Sequence, residues 1–192
     1  MGSAGVPCGM TEPRPWPLWL LLVLIPIQTV AGQQAETDFA SVPCDVAFSY
    51  PSTWEVVRDT IDPQSNCNFL IRPKDWQQRF VDHDSVDLSS VSVRSVLGNP
   101  ATAAPENGFE RRGSRWVILG ERDQPADTVS GPGWRGWQGI ASARCYKEDG
   151  PYVGQCDRPT AIVGTMSRSV VIQAGPQGED VFSRVLKTLR LE

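Results

Sequence analysis

The chain has 192 residues, with 22 acidic against 18 basic side chains and a net charge of −4, so it lacks the basic excess of a nucleic-acid binder. An apolar share of 40% beside 21% charged residues excludes wholesale disorder. The length suits one domain.

Arg14 precedes an apolar run from Leu18 to Ile27, and the small residues Ala31 and Gly32 follow. A basic flank, an apolar stretch and a small-residue cleavage point read as a secretory signal peptide over residues 1–32, starting at Met1 or Met10. A membrane span needs roughly 20 apolar residues. The run falls short of that, so no stable membrane anchor is expected after cleavage, and the mature chain is expected to be secreted or periplasmic. Residues 33–42 are polar and small and read as a flexible leader; 43–192 reads as a single domain.

Cys8 leaves with the signal peptide, and Cys44, Cys67, Cys145 and Cys156 remain. An even set in an exported chain predicts disulfides, and sequential pairing, Cys44 with Cys67 and Cys145 with Cys156, is the simplest of the three connectivities. Zinc is not expected, since no C-x-x-C pair is present and His83 is the only histidine.

Val46, Phe48 and Tyr50 alternate, as a half-buried strand requires. Pro51-Ser52 turns the chain, and Trp54 to Val57 resumes strand character. Asp59 to Asn66 is a polar loop, Phe69 to Ile71 a short strand before Pro73, and Asp75 to Asp84 room for a helical turn. Val86 to Leu97 alternates broadly and reads as a strand. Gly98 to Asn107 has the weakest pattern, with a short helix starting near Ala101. Phe109 to Arg111 and Arg115 to Leu119 flank a glycine turn as a hairpin. Gln124 to Gly133 reads as a loop, Trp134 to Trp137 and Ile140 to Tyr146 as strands, and Glu148 to Pro151 as a turn. Ala161 to Met166 and Val170 to Ala174 form a further hairpin. Val181, Phe182, Val185, Leu186 and Leu189 then fall on one helical face, with Glu179 and Asp180 in the first turn and Lys187 and Arg190 in the last, as the helix dipole favours. Such a stripe must bury against a sheet. The expected class is α+β, an antiparallel sheet with the C-terminal helix packed on it.

Candidate chemistry is sparse. Gly131-Pro132-Gly133-Trp134-Arg135-Gly136 matches G-x-G-x-x-G, but Pro132 removes an amide donor and no helix follows, so a Gly/Pro turn is expected and no nucleotide cofactor. His83 stands among Asp82, Asp84 and Asp87 without the spacing of a calcium loop, so the reading is a solvated acidic loop with no metal. No G-x-S-x-G elbow anchors a serine triad, and no catalytic residue is assigned. Trp134, Trp137, Tyr146 and Tyr152 cluster beside several glycines; most should fill the sheet core, and Trp134, Trp137 and Tyr152 are the candidates for a binding surface. Arg111, Arg112 and Arg115 beside Trp116 read as a solvated hairpin face.

Phe48-Ser49-Tyr50-Pro51-Ser52-Thr53-Trp54 resembles the opening strand-turn-strand of PsbP-like and DcrB-like proteins, with Thr53 where that group usually carries glycine. The later order, several antiparallel strands, a late hairpin and a terminal helix, is similar as well. The resemblance implies an α/β/α sandwich and an accessory or binding role rather than catalysis; paired cysteines are not a general feature of that group. The expected function is an exported, non-catalytic binding or accessory protein of the cell envelope whose partner is another protein, an inhibitor or toxin-immunity protein being one form of it. The alternatives are a small secreted hydrolase using His83 and a small-ligand or cation carrier using the Trp134 to Tyr152 region.

Overall fold

The computed structural model describes residues 35–58, 67–79, 90–120, 123–146 and 152–191, and the side chains of 78–79, 143–146, 152–153 and 155 lie outside that description. Residues 34–192 form one unit. Strand β1 (Glu36–Ser41) pairs antiparallel with β2 (Val46–Pro51), Phe39 opposite Phe48. The 3-10 turn between them ends at Asp45, a non-glycine residue at φ 48°. The expected leader is therefore corrected over Glu36–Ser41. Its inward residues alternate, and the Phe39 ring packs on Phe48 and Phe69 at centroid distances of 5.0 and 4.9 Å. One aromatic in a polar stretch supplies the anchor, and main-chain pairing with β2 does the rest.

The chain continues as β3 (Trp54–Arg58), β4 (Asn68–Pro73), the single turn α1 (Trp76–Arg79), β5 (Val91–Leu97) and a second short helix, α2 (Pro100–Ala103). A small meander follows, β6 (Phe109–Arg112), β7 (Arg115–Ile118) and β8 (Gln124–Pro125). Then come β9 (Asp127–Gly131), β10 (Trp134–Tyr146), β11 (Tyr152–Gly164), β12 (Arg168–Ala174), α3 (Glu179–Thr188) and β13 (Arg190–Leu191). The stretch expected as a loop, Gln124 to Gly133, is thus corrected to β8 and β9. Its polar side chains are those of exposed strands, whose pairing is dictated by neighbours rather than by an alternating pattern of their own. Trp134 to Tyr146 is one strand, not two.

Seven strands make the central sheet, in the order β3-β4-β5-β12-β11-β10-β9, every pair antiparallel. One face carries β1-β2-β13 and α3, whose Val181, Phe182, Val185 and Leu186 bury against Phe48, Val93, Val163 and Val170. The other face, through Ile162 and Val171, packs against Ala103, Ala104, Phe109 and Ile118 of the α2 region and the meander. The α/β/α expectation is corrected at this second face. It is covered by a three-stranded meander and a four-residue helix, so the described residues are mostly β with one substantial helix.

The Cys44–Cys67 disulfide, Cα atoms 5.5 Å apart, ties the turn after β1 to the start of β4. Ser95 of β5 sits between the two halves: its N–H donates to the Cys67 carbonyl (3.0 Å) and its hydroxyl to the Cys44 carbonyl (2.9 Å). Arg168 joins the same corner through Asp45 (2.9 Å). Register sets Cys145 opposite Gly154 and Cys156 opposite Ala143, and Cys156 is disulfide-bonded. The Cys145 side chain lies outside the described residues, as do the loop Asp59 to Asn66, the turn at Glu148 to Pro151 and residues 80–84, while the helical turn expected from Asp75 onward is α1.

Candidate functional site

A cleft of about 1120 Å³ opens at one end of the central sheet, where β9 turns into β10, β11 turns into β12 and β5 leads into α2. Its floor is Thr128, Ser130, Arg135, Trp137 and Gly164. One wall is Asn99, Pro100 and Ala101, and the other is the turn Thr165, Met166 and Ser167. All three segments are held by local bonds. The Asn99 side chain accepts from the Thr102 N–H at 3.1 Å and caps α2. The Thr165 hydroxyl accepts from the Ser167 and Arg168 N–H groups. The Gly98 N–H donates to the Ser167 carbonyl at 2.8 Å, tying wall to wall.

Glycines give the cleft its breadth. Gly133, at φ 77° after Pro132, fits the proline-then-glycine demand of a tight turn, so the G-x-G-x-x-G segment is the hairpin between β9 and β10. A Cβ on Gly131 would lie 2.3 Å from the Trp134 ring, and one on Gly136 would lie 1.9 Å from the Ile162 carbonyl oxygen. The indole folds back onto the hairpin only because Gly131 has no side chain.

The aromatic candidates separate. Trp134 is buried, and its indole N–H donates to the Leu189 carbonyl at 2.9 Å, so it fastens the end of α3 to the sheet while one edge of the ring borders the cleft. Trp137 is half-buried on the opposite face, packed on Trp116 of the meander with ring centroids 4.4 Å apart and the ring planes tilted by 34°. The structure brings both to the cleft from opposite faces of β10. Tyr146 and Tyr152 have their backbones in β10 and β11, and their side chains lie outside the described residues, as does His83 with Asp82, Asp84 and Asp87.

Sequence reasoning missed three features of the site. Met166 stands 79% exposed on the rim, and Leu97, just before the α2 wall, is 81% exposed. Arg135 is exposed, forms no ion pair with a described residue, and is the one charged side chain among the described residues that line the cleft. The available signal was Met166 at a turn: a large apolar residue where hairpin loops favour polar or small ones. Of the arginine patch, Arg112 pairs with Glu110 (2.9 Å) and Asp123 (2.6 Å) on the surface. The hydrogen bond that it donates to Glu110, then the one that it donates to Asp123, holds its guanidinium pKa above the ordinary value.

No protein-family model matches the chain, and no curated protein matches it in sequence. Among solved structures it is similar to a crystal structure from Bacteroides thetaiotaomicron, at 17% identity and TM-score 0.48 over 83% of this chain and 49% of that one. It is also similar to the solution structure of cyanobacterial PsbP (CyanoP) from Synechocystis, at 11% identity and TM-score 0.47 over 85% of this chain and 96% of that one.

Proposed function

We propose that the protein is an exported, non-catalytic binding module that engages another protein through the cleft at the hairpin end of the central sheet. The observation that carries this reading is the cleft itself: about 1120 Å³, open, walled by internally bonded turns, with Met166 exposed on its rim. An exposed apolar residue beside a preformed depression is the arrangement that protein contacts use. The Cys44–Cys67 bridge supports an oxidising, extracytoplasmic setting. An envelope accessory factor, or an inhibitor of an incoming toxin, is the form of this reading that suits a small exported chain.

The test compares wild type with Met166→Glu and Trp137→Ala as bait in a native envelope extract. A protein retained by wild type and depleted about tenfold or more by Met166→Glu is the expected outcome. A second reading, a small-ligand carrier, draws on the same volume, which exceeds the ~300 Å³ a ligand pocket needs. Native mass spectrometry of the purified protein separates the two: a reproducible adduct of small mass, without a retained protein, favours the carrier. Turnover of ester, peptide and glycan substrates that disappears in His83→Ala would overturn both and restore the hydrolase.

A further inference from the structure

Strand β9 ends the central sheet among the described residues, and its Thr128, Ser130 and Gly131 line the cleft. Its hairpin with β10 has a two-residue loop, Pro132-Gly133, so Gly131 and Trp134 close the turn as a hydrogen-bonded pair. Along an antiparallel ladder such pairs alternate with pairs whose main-chain groups face away from each other. Ser130 and Thr128, opposite Arg135 and Trp137, are the alternate positions, so their N–H and C=O groups point off the edge of the sheet. The same two residues line the cleft with their side chains. One short segment therefore offers both a ladder unpaired among the described residues and part of the floor of the cleft beside it.

The edge also lacks the usual protections. No lysine, proline or register shift interrupts Asp127–Gly131, whose one charge, Asp127, lies at the end away from the cleft mouth. Charge narrows the occupant. The chain as a whole is acidic at −4, yet among the described residues that line the cleft the one charged side chain is Arg135, exposed and without an ion-pair partner among them. A segment that brings a carboxylate to this end of the sheet meets the exposed Arg135 guanidinium there.

Building on the reading of the cleft as a protein-binding site, we infer that β9 receives an extended segment of a partner polypeptide as an added strand. An apolar side chain of that segment enters the cleft and an acidic one pairs with Arg135. Main-chain bonds to Thr128 and Ser130 supply affinity, and the cleft and Arg135 supply selectivity.

The probe is a random-peptide library displayed on phage and selected against the full exported protein. The expected result is enrichment of segments in which apolar residues alternate around one Asp or Glu. Synthetic versions should lose affinity by about tenfold or more on Arg135→Glu, on Ser130→Pro, and when alternate peptide amides are N-methylated. N-methylation leaves the protein untouched, so it decides the matter even if Ser130→Pro disturbs the fold. Slowed amide exchange at Thr128 and Ser130 in the complex is the matching signature. Enriched peptides that tolerate N-methylation at every position, or that bind undiminished to Arg135→Glu, overturn strand addition while leaving the cleft as a site. A selection that enriches nothing, while octanoate or an anilinonaphthalene sulfonate binds the cleft, overturns strand addition and favours the carrier. Binding by neither class of probe removes the cleft from both readings. A concentration-dependent dimer that disappears in Ser130→Pro assigns the edge to a second copy of this chain and overturns the partner inferred.

Discussion

Trp134 and the glycines around it show how single positions set the cleft end of the sheet. The indole N–H is committed to the Leu189 carbonyl, so Trp134→Phe keeps the ring and orphans a buried acceptor. The expected cost is about 1–3 kcal/mol, read as a lower urea midpoint. Gly136→Ala should cost more, because its Cβ would meet a backbone oxygen at 1.9 Å and neither strand can withdraw without breaking the ladder. Gly139→Ala is the matched comparison: there the nearest atom is a methyl of Ile118 at 3.1 Å, which can turn aside. Thermal melts of the two variants should differ clearly, with Gly136→Ala the lower. Equal melts would mean that β10 and β11 are not held as closely as the register implies.

Elements are stabilised by two different means. Helix α3 depends on burial: Val181, Phe182, Val185 and Leu186 are its inner stripe, and Leu189 just beyond is 1% exposed. Phe182→Ala should destabilise by about 3–5 kcal/mol through lost contacts and a residual cavity. The β1–β4 corner depends on a covalent link instead. Removing the Cys44–Cys67 bridge, which spans 23 residues, as Cys44→Ser with Cys67→Ser should cost about 2–5 kcal/mol. Far-UV circular dichroism should be retained, because the Ser95 and Arg168 bonds to the same corner persist. Loss of β signal in that variant would show that the bridge is needed to form the sheet rather than only to stabilise it.

The proposed export carries two expectations at the scale of the whole chain. Intact mass should correspond to cleavage after Ala31 or Gly32; a mass that retains Leu18 to Ile27 would mean an anchored protein and reverse the assumed compartment. Non-reducing peptide mapping should join Cys44 to Cys67 and Cys145 to Cys156. A free thiol at Cys145 would instead point to Cys156 bonding elsewhere.

Hydrophobic period and punctuation were legible from the chain alone. The stripe of α3 and the alternation of β5 bury one face of a local segment, and burial of one face leaves a period in the residues, whereas β2 and the β11–β12 hairpin are buried on both faces and were legible as apolar runs bounded by turn residues. The Cys44–Cys67 pairing was legible too, since few partners existed. Strands β1 and β9 were not. Each lies at the edge of a sheet with much of its length exposed, so its residues carry little alternation, and its state depends on a neighbour elsewhere in the chain. The second face of the central sheet escaped for a related reason: its cover is a short meander and a four-residue helix, too small to leave a period. Trp134 and Trp137 could be singled out as aromatics among glycines, but only packing decides that one fastens α3 while the other faces the meander. The cleft itself is assembled from residues near 99, 130, 135 and 165. These positions become neighbours only when the antiparallel register brings the ends of β5, β9 and β11 together, and that long-range pairing is written in no single stretch of the chain.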